Sequence, residues 1–204
     1  MLSKHPLYLL ALAAVLTLSA ERAQAGIISF DPLVAGNGSP YLGHSEMGFN
    51  VTPTVGDWLV AQSFGNPVPS IFENGSDPAE IQIEAVGGGT FTFTAADLAS
   101  NNGLSQYEFT GFLGAATVFS QTGSVTAGPP FEFFTIPNNV GVGQAIDRLS
   151  IRLTPVQTVT SVNIDNINLS SPNSAVPEPS SFAIFGVGAC FAFGGSRRRK
   201  RPLI

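Results

Sequence analysis

The sequence predicts an all-β domain, an antiparallel β-sandwich or jelly roll, and three observations carry that expectation. Apolar and polar residues alternate at period two through the centre of the chain, the pattern of half-buried strands. Asn- and Gly-centred turn signals recur at short intervals. Between its two ends the chain of 204 residues has no long apolar run of helical period. Many short strands with frequent turns point to sandwich or jelly-roll architectures, and the lack of a fixed-period repeat argues against propellers and solenoids.

Taken in order, Ile28 and Phe30 open the domain, and Asn37-Gly38 marks the first turn. Trp58 and Val60 belong to an apolar run. Asn66-Pro67-Val68-Pro69-Ser70 is a stiff loop able to line a pocket together with the flanking Trp58 and Phe72. After Asn74-Gly75, the segment Glu80 to Ala85 places Ile81, Ile83 and Ala85 on one face. Gly87-Gly88-Gly89 can close a hairpin into Thr90-Phe91-Thr92-Phe93-Thr94. Ala95 to Ala99 has room for at most a single helical turn. Asn102-Gly103 leads to Tyr107 and Phe109, then to the apolar pair Val118-Phe119, and Asn138-Asn139 supplies a further turn. Leu149, Ile151 and Leu153 alternate with Arg148, Ser150 and Arg152. In the last strand Val162 and Ile164 fall on even positions, Ile167 and Leu169 on odd ones. One strand buries all four only if an extra residue enters near Asp165-Asn166, which is how a β-bulge reads in sequence.

Charge narrows the function classes. Between residues 26 and 175 there are twelve Asp and Glu against Arg148 and Arg152, with no lysine, a net charge near −10. Such a surface repels phosphate backbones, so a nucleic-acid partner is excluded. The single cysteine, Cys190, lies in the apolar tail, so no intramolecular disulfide forms. Past the N-terminal segment His44 is the sole histidine, and it reads as a solvated loop residue rather than a base. No nucleophile elbow, phosphate loop or His/Cys zinc cluster is present. The chain therefore reads as non-enzymatic, with no cofactor unless calcium is bound. Asp165, Asn166 and Asp147 are the candidate calcium ligands, since that ion takes several oxygens; the alternative is that Asp165 and Asn166 satisfy backbone groups at the bulge.

The ends divide the chain into three parts. Residues 1–25 have the form of a signal peptide: Lys4, an apolar run from Leu7 to Ala20, then Ala23-Gln24-Ala25, with cleavage by signal peptidase expected after Ala25. Residues 26–175 form the β domain. Residues 176–204 hold Val176-Pro177-Glu178-Pro179, an apolar segment over 180–196, and the basic cluster Arg197-Arg198-Arg199-Lys200-Arg201. At about 1.5 Å per residue, Phe182 to Gly195 spans about 21 Å, short of a hydrocarbon core of about 30 Å. The cluster adds about 1 kcal/mol per basic residue at an anionic cytoplasmic face and fixes the C-terminus inside. Insertion is marginal in its apolar part and pinned by charge, which suits a segment that is held, presented and cut.

Motif, span and basic cluster in that order resemble the PEP-CTERM sorting signal, with Pro177, Glu178 and Pro179 matching its motif. The resemblance covers about the last 30 residues. It implies an exosortase-type processing enzyme as partner, an inner-membrane intermediate, and then a place at the cell surface or in an extracellular matrix with exopolysaccharide. The order Phe91-Thr92-Phe93, Tyr107 to Gly111, Leu149-Ser150-Ile151 and Ile164 to Ile167 resembles sandwiches of the galactose-binding-like type. Three functions follow as expectations: a non-enzymatic surface or matrix protein first, then a carbohydrate-binding module with a ligand pocket, then a glycan hydrolase built on paired carboxylates.

Overall fold

The computed structural model describes residues 25–75, 77–127, 132–156 and 161–170. The signal-peptide residues up to Gln24 and the whole tail from Val176 to Ile204, Cys190 included, lie outside the described residues. Among those described there is no helix, and so none long and apolar enough to cross a membrane.

Among the described residues there are twelve strands: β1 (Ala25–Ile28), β2 (His44–Glu46), β3 (Phe49–Val55), β4 (Trp58–Ala61), β5 (Ser70–Glu73), β6 (Ala79–Ala85), β7 (Thr92–Ser100), β8 (Leu104–Leu113), β9 (Ala116–Thr126), β10 (Phe134–Pro137), β11 (Arg148–Pro155) and β12 (Val162–Ser170). They form two antiparallel sheets. The first runs β10-β7-β12-β5-β4, with β1 also on β12; the second runs β2-β3-β6-β11-β8-β9. The expected sandwich is what the chain adopts.

Period two explains the second sheet. In β11 Leu149, Ile151 and Leu153 are fully buried while the residues between them are partly exposed. They pair with Ile83, Ile81 and Ala79 of β6 on one side and with Gly111, Phe109 and Tyr107 of β8 on the other. Each strand thus sends its apolar set into the same layer, as the sequence pattern requires. Pro53 is tolerated within β3 because it lies beyond the part of that strand which pairs with β2. Across the core, Phe93 of β7 meets Phe109 of β8 edge-to-face, with centroids 5.0 Å apart, a geometry that aromatic quadrupoles favour. Phe49 and Phe91 repeat the arrangement at 5.2 Å.

Two expectations fail here. Gly87-Gly88-Gly89 closes no hairpin: β6 belongs to the second sheet and β7 to the first, so the three glycines carry the chain across the sandwich. All three have positive φ, a path open to glycine at little cost. Ala95 to Ala99 is no helical turn but the interior of β7, hydrogen-bonded to β10 on one side and β12 on the other. Pairing on both edges overrides the local helix preference of alanine.

The bulge expected in β12 is present. Val162, Ile164, Ile167 and Leu169 are all buried, the register against β7 shifts after Asp165, and Asn166 has φ 42°. β12 pairs with β5 through Val162–Ile164 and with β1 through Ile167–Ser170. The bulge therefore falls where one edge of β12 changes partner.

Candidate functional site

The bulge positions a buried polar cluster on the face of the first sheet that points away from the core. Asp165 is paired with Asp97 of β7, and both carboxylates are buried, at 0% and 4% exposure. Asn66, from the loop between β4 and β5, lies over them. Its N–H donates to Asp165 Oδ2 at 2.7 Å and its side-chain amide to Asp97 Oδ2 at 3.2 Å. The backbone N–H of Asn166 donates to Asp165 Oδ1 at 2.8 Å. The Asn166 side chain donates to Asp97 Oδ2 at 2.9 Å and also bonds the Asn66 carbonyl. Thr135 of β10 gives its hydroxyl to Asp97 Oδ1 at 2.6 Å. Burial is the main reason that the Asp165 carboxyl is pushed up to about 7; the nearby charges of Asp97 and Asp31 act in the same sense, against the two backbone N–H donors.

Of the three candidate calcium ligands, the structure brings Asp165 and Asn166 together and leaves Asp147 apart. Asp147 immediately precedes β11 of the second sheet, and its Oδ2 accepts the Gly114 N–H at 2.6 Å. The groups that join Asp165 and Asn166 instead are Asp97 and Asn66, and the carboxylate oxygens of Asp97 and Asp165 already accept hydrogen bonds. Among the described residues no group of three or more His, Cys, Asp or Glu is arranged to hold a metal. Sequence reading missed Asp97, although one signal was there: an acid amid the apolar and small residues of Ala95-Ala96-Asp97-Leu98-Ala99 needs a buried partner.

His44 is also placed differently from expectation. It lies in β2, with its side chain 12% exposed, rather than in a solvated loop. Its Nδ1 is 2.8 Å from the Tyr41 hydroxyl and its Nε2 is 3.0 Å from Glu46 Oε2. Glu46 in turn accepts the N–H and hydroxyl of Ser29 and the N–H of Phe30, each at 3.0 Å. Burial, aided by the charge of Glu46, raises the Tyr41 hydroxyl far above the usual phenol range, so it stays protonated. Glu46 thereby ties β2 to the segment after β1. Another acid, Glu73, is 3% exposed and its Oε2 has no hydrogen-bond partner. Burial, followed by the charge of Asp57, raises its carboxyl.

The loop 66–70 and its neighbours were expected to line one pocket, and they divide. Trp58 is buried in the core, its Nε1 donating to the Val55 carbonyl at 3.0 Å. Phe72 instead lines a cleft of about 350 Å³ on the outer face of the first sheet, with Asn37, Ser63, Phe64, Asn101 and Asn163 among its neighbours. Phe72 and Asn163 are register partners on β5 and β12. Among the described residues, no Asp, Glu, Lys, Arg or His lines this cleft.

The sorting residues lie beyond the described strands and are decided by sequence. Residues 175–200 match the PEP-CTERM protein-sorting motif. The match spans Val176-Pro177-Glu178-Pro179 and most of the basic cluster, and a sorting tail of this kind marks an exported protein. No curated protein matches the chain in sequence. Among solved structures, the family 29 carbohydrate-binding module CBM29_1 from Piromyces equi is 11% identical, with 73% of this chain and 91% of that one covered and a TM-score of 0.40. TmCBM61, solved with β-1,4-galactotriose, is 12% identical over 66% of this chain and 98% of that one, at a TM-score of 0.37. The enzymatically active domain of tailspike protein 4 from bacteriophage CBA120 is 16% identical over 64% of this chain at a TM-score of 0.41, and this chain spans 22% of its length. Likenesses this distant bring no ligand and no activity with them.

Proposed function

We propose that this chain is a non-enzymatic surface or matrix protein, delivered through its tail by an exosortase-type enzyme and resident among exopolysaccharide. The observation that carries this reading is the sorting-motif match at residues 175–200, placed directly behind a β domain that ends at Ser170. In the intermediate, Arg197 to Arg201 hold the apolar segment in the membrane. Removal of that segment then releases the domain. Intact-mass measurement on protein extracted from the cell surface tests the reading: the mature species is expected to start near Gly26 and to lack Arg197 to Arg201. Persistence of the basic cluster in the mature pool overturns it.

A second reading, carbohydrate binding, is favoured by one observation, the uncharged cleft beside Phe72 and Asn163. In an acidic domain, an aromatic-and-amide cleft with no charged group among its described lining residues suits a neutral ligand rather than an ion.

A further inference from the structure

We propose that the cleft bounded by Asn163, Phe72 and the Ser63-Phe64 segment is a subsite for a neutral sugar unit. This deepens the carbohydrate-binding reading and rests on it.

The first argument is charge. The domain has twelve acids and two arginines, yet among the described residues no charged side chain lines the cleft. A cationic ligand finds no counter-charge there and an anionic one finds no base, so recognition falls to neutral groups.

Hydrogen-bonding chemistry is the second. Three side-chain amides (Asn37, Asn101 and Asn163) and two hydroxyls (Ser63 and Ser161) line the cleft. Each amide carries both donors and acceptors, and each hydroxyl does either. That is the complement of sugar hydroxyls, which also do both. Phe64 and Phe72 add ring surface, against which the C–H face of a pyranose can lose water. A volume of about 350 Å³ sits at the low end of ligand pockets, about 300 to 1,000 Å³, and suits a short unit rather than a long stretch of chain.

The walls, moreover, are fixed in advance. Asn37 Oδ1 accepts the Gln62 N–H at 2.9 Å and the Ser63 hydroxyl at 3.3 Å. The Ser70 hydroxyl donates to the Phe64 carbonyl at 2.8 Å and accepts from the Asn163 amide at 3.2 Å. The Asn101 N–H reaches the Ser161 carbonyl at 3.0 Å. Further along the same loop, Asp165 and Asp97 hold Asn66. Two buried carboxylates are costly to a fold, and here they fix the loop that supplies Ser63 and Phe64. A site whose groups stand in place before binding loses less ordering entropy when the ligand arrives.

Affinity electrophoresis of the purified protein tests the proposal, in gels containing an uncharged glucan, mannan or galactan, with alginate as a polyanionic control. At least one neutral polymer is expected to retard the protein, and high salt is expected to leave the retardation unchanged. Ser63→Trp, an exposed position that fills the cleft without entering the core, should weaken it by about tenfold or more. Phe72→Ala should weaken it likewise, with a melting curve confirming that the variant is folded. Retardation by a neutral polymer that both variants retain overturns this site and leaves carbohydrate binding standing. Retardation by no neutral polymer, or by alginate alone, overturns both.

Discussion

The outward faces of the two sheets solve different problems. That of the second sheet is open and polar, built from pairs such as Arg152 with Glu80 at 3.6 Å, Ser120 with Glu108 at 3.1 Å and Gln82 with Glu84 at 2.7 Å. Arg148 lies over the Phe112 ring, 4.3 Å from its centroid. The corresponding face of the first sheet is roofed by the loop that holds Phe64 and Asn66, and Phe64 stacks on Phe133 at 4.9 Å. Beneath that roof lie Asp97 and Asp165. The same strand chemistry is thus solvated on one side of the molecule and desolvated on the other, and a carboxylate means something different in each place. On the open face it keeps the surface wet. Under the roof it fixes geometry.

Experiments can break or sharpen that contrast. The largest effect belongs to the core both sheets share: Phe93→Ala should cost about 3–5 kcal/mol and Ile151→Ala about 2–5 kcal/mol in denaturant unfolding. Losses near zero at both would mean that the sheets do not pack through these residues. Next come the roofed acids. Asp165→Ala strips the Asn66 and Asn166 N–H groups of their acceptor and should cost about 1–3 kcal/mol, while Glu108→Ala on the open face should stay within about 0.5 kcal/mol. Equal costs would erase the distinction between the faces.

The pH dependence is a finer probe. The Asp165 carboxyl sits at about 7 in the folded chain against an ordinary 3.8, so the folded state holds its proton more tightly than the unfolded state does. The stability this contributes is fully present below about pH 4 and is lost as pH rises through 7. Glu73 is raised in the same direction and adds to the decline. A stability curve over that window should therefore fall, and Asp165→Asn should remove part of the slope. A curve that rises from pH 4 to 7 in wild type, or one unchanged by the substitution, would contradict the buried site. The smallest effect is expected at Arg152→Ala, since a half-exposed pair is worth about 0–1 kcal/mol; a double-mutant cycle with Glu80 measures it.

The same contrast governs what can be read in the sequence. Strands buried on one face announce themselves: β11 alternates buried and part-exposed residues along its whole length, and Leu149, Ile151 and Leu153 stand out at period two. β7 is buried on both faces from Ala96 to Ser100, so its alternation vanishes and Ala95 to Ala99 passes for a turn of helix. The β12 bulge was legible because the phase of four apolar residues flips between Ile164 and Ile167. Its partners were not, since Asn66 lies 99 residues from Asp165 and bonds it only through the fold. Asp97 left only its setting among apolar and small residues, and Glu46 left no trace, because an acid's partners across the fold have no periodic signature. The Pro-Glu-Pro tail was legible for the opposite reason: its function resides in contiguous sequence rather than in folded geometry.

The position of β12 has a consequence for how the domain assembles. It is the last of the described strands to be made, yet it lies inside the first sheet, between β7 on one edge and both β5 and β1 on the other. A chain synthesised N-terminus first thus lacks its keystone until Ser170 has been made. Before then β1, the first strand to appear, has no partner. Closing that pair demands a loop of nearly the whole domain, the kind of long-range contact that slows folding. Such a delay keeps the first sheet of this exported chain open until its C-terminal strand is in place.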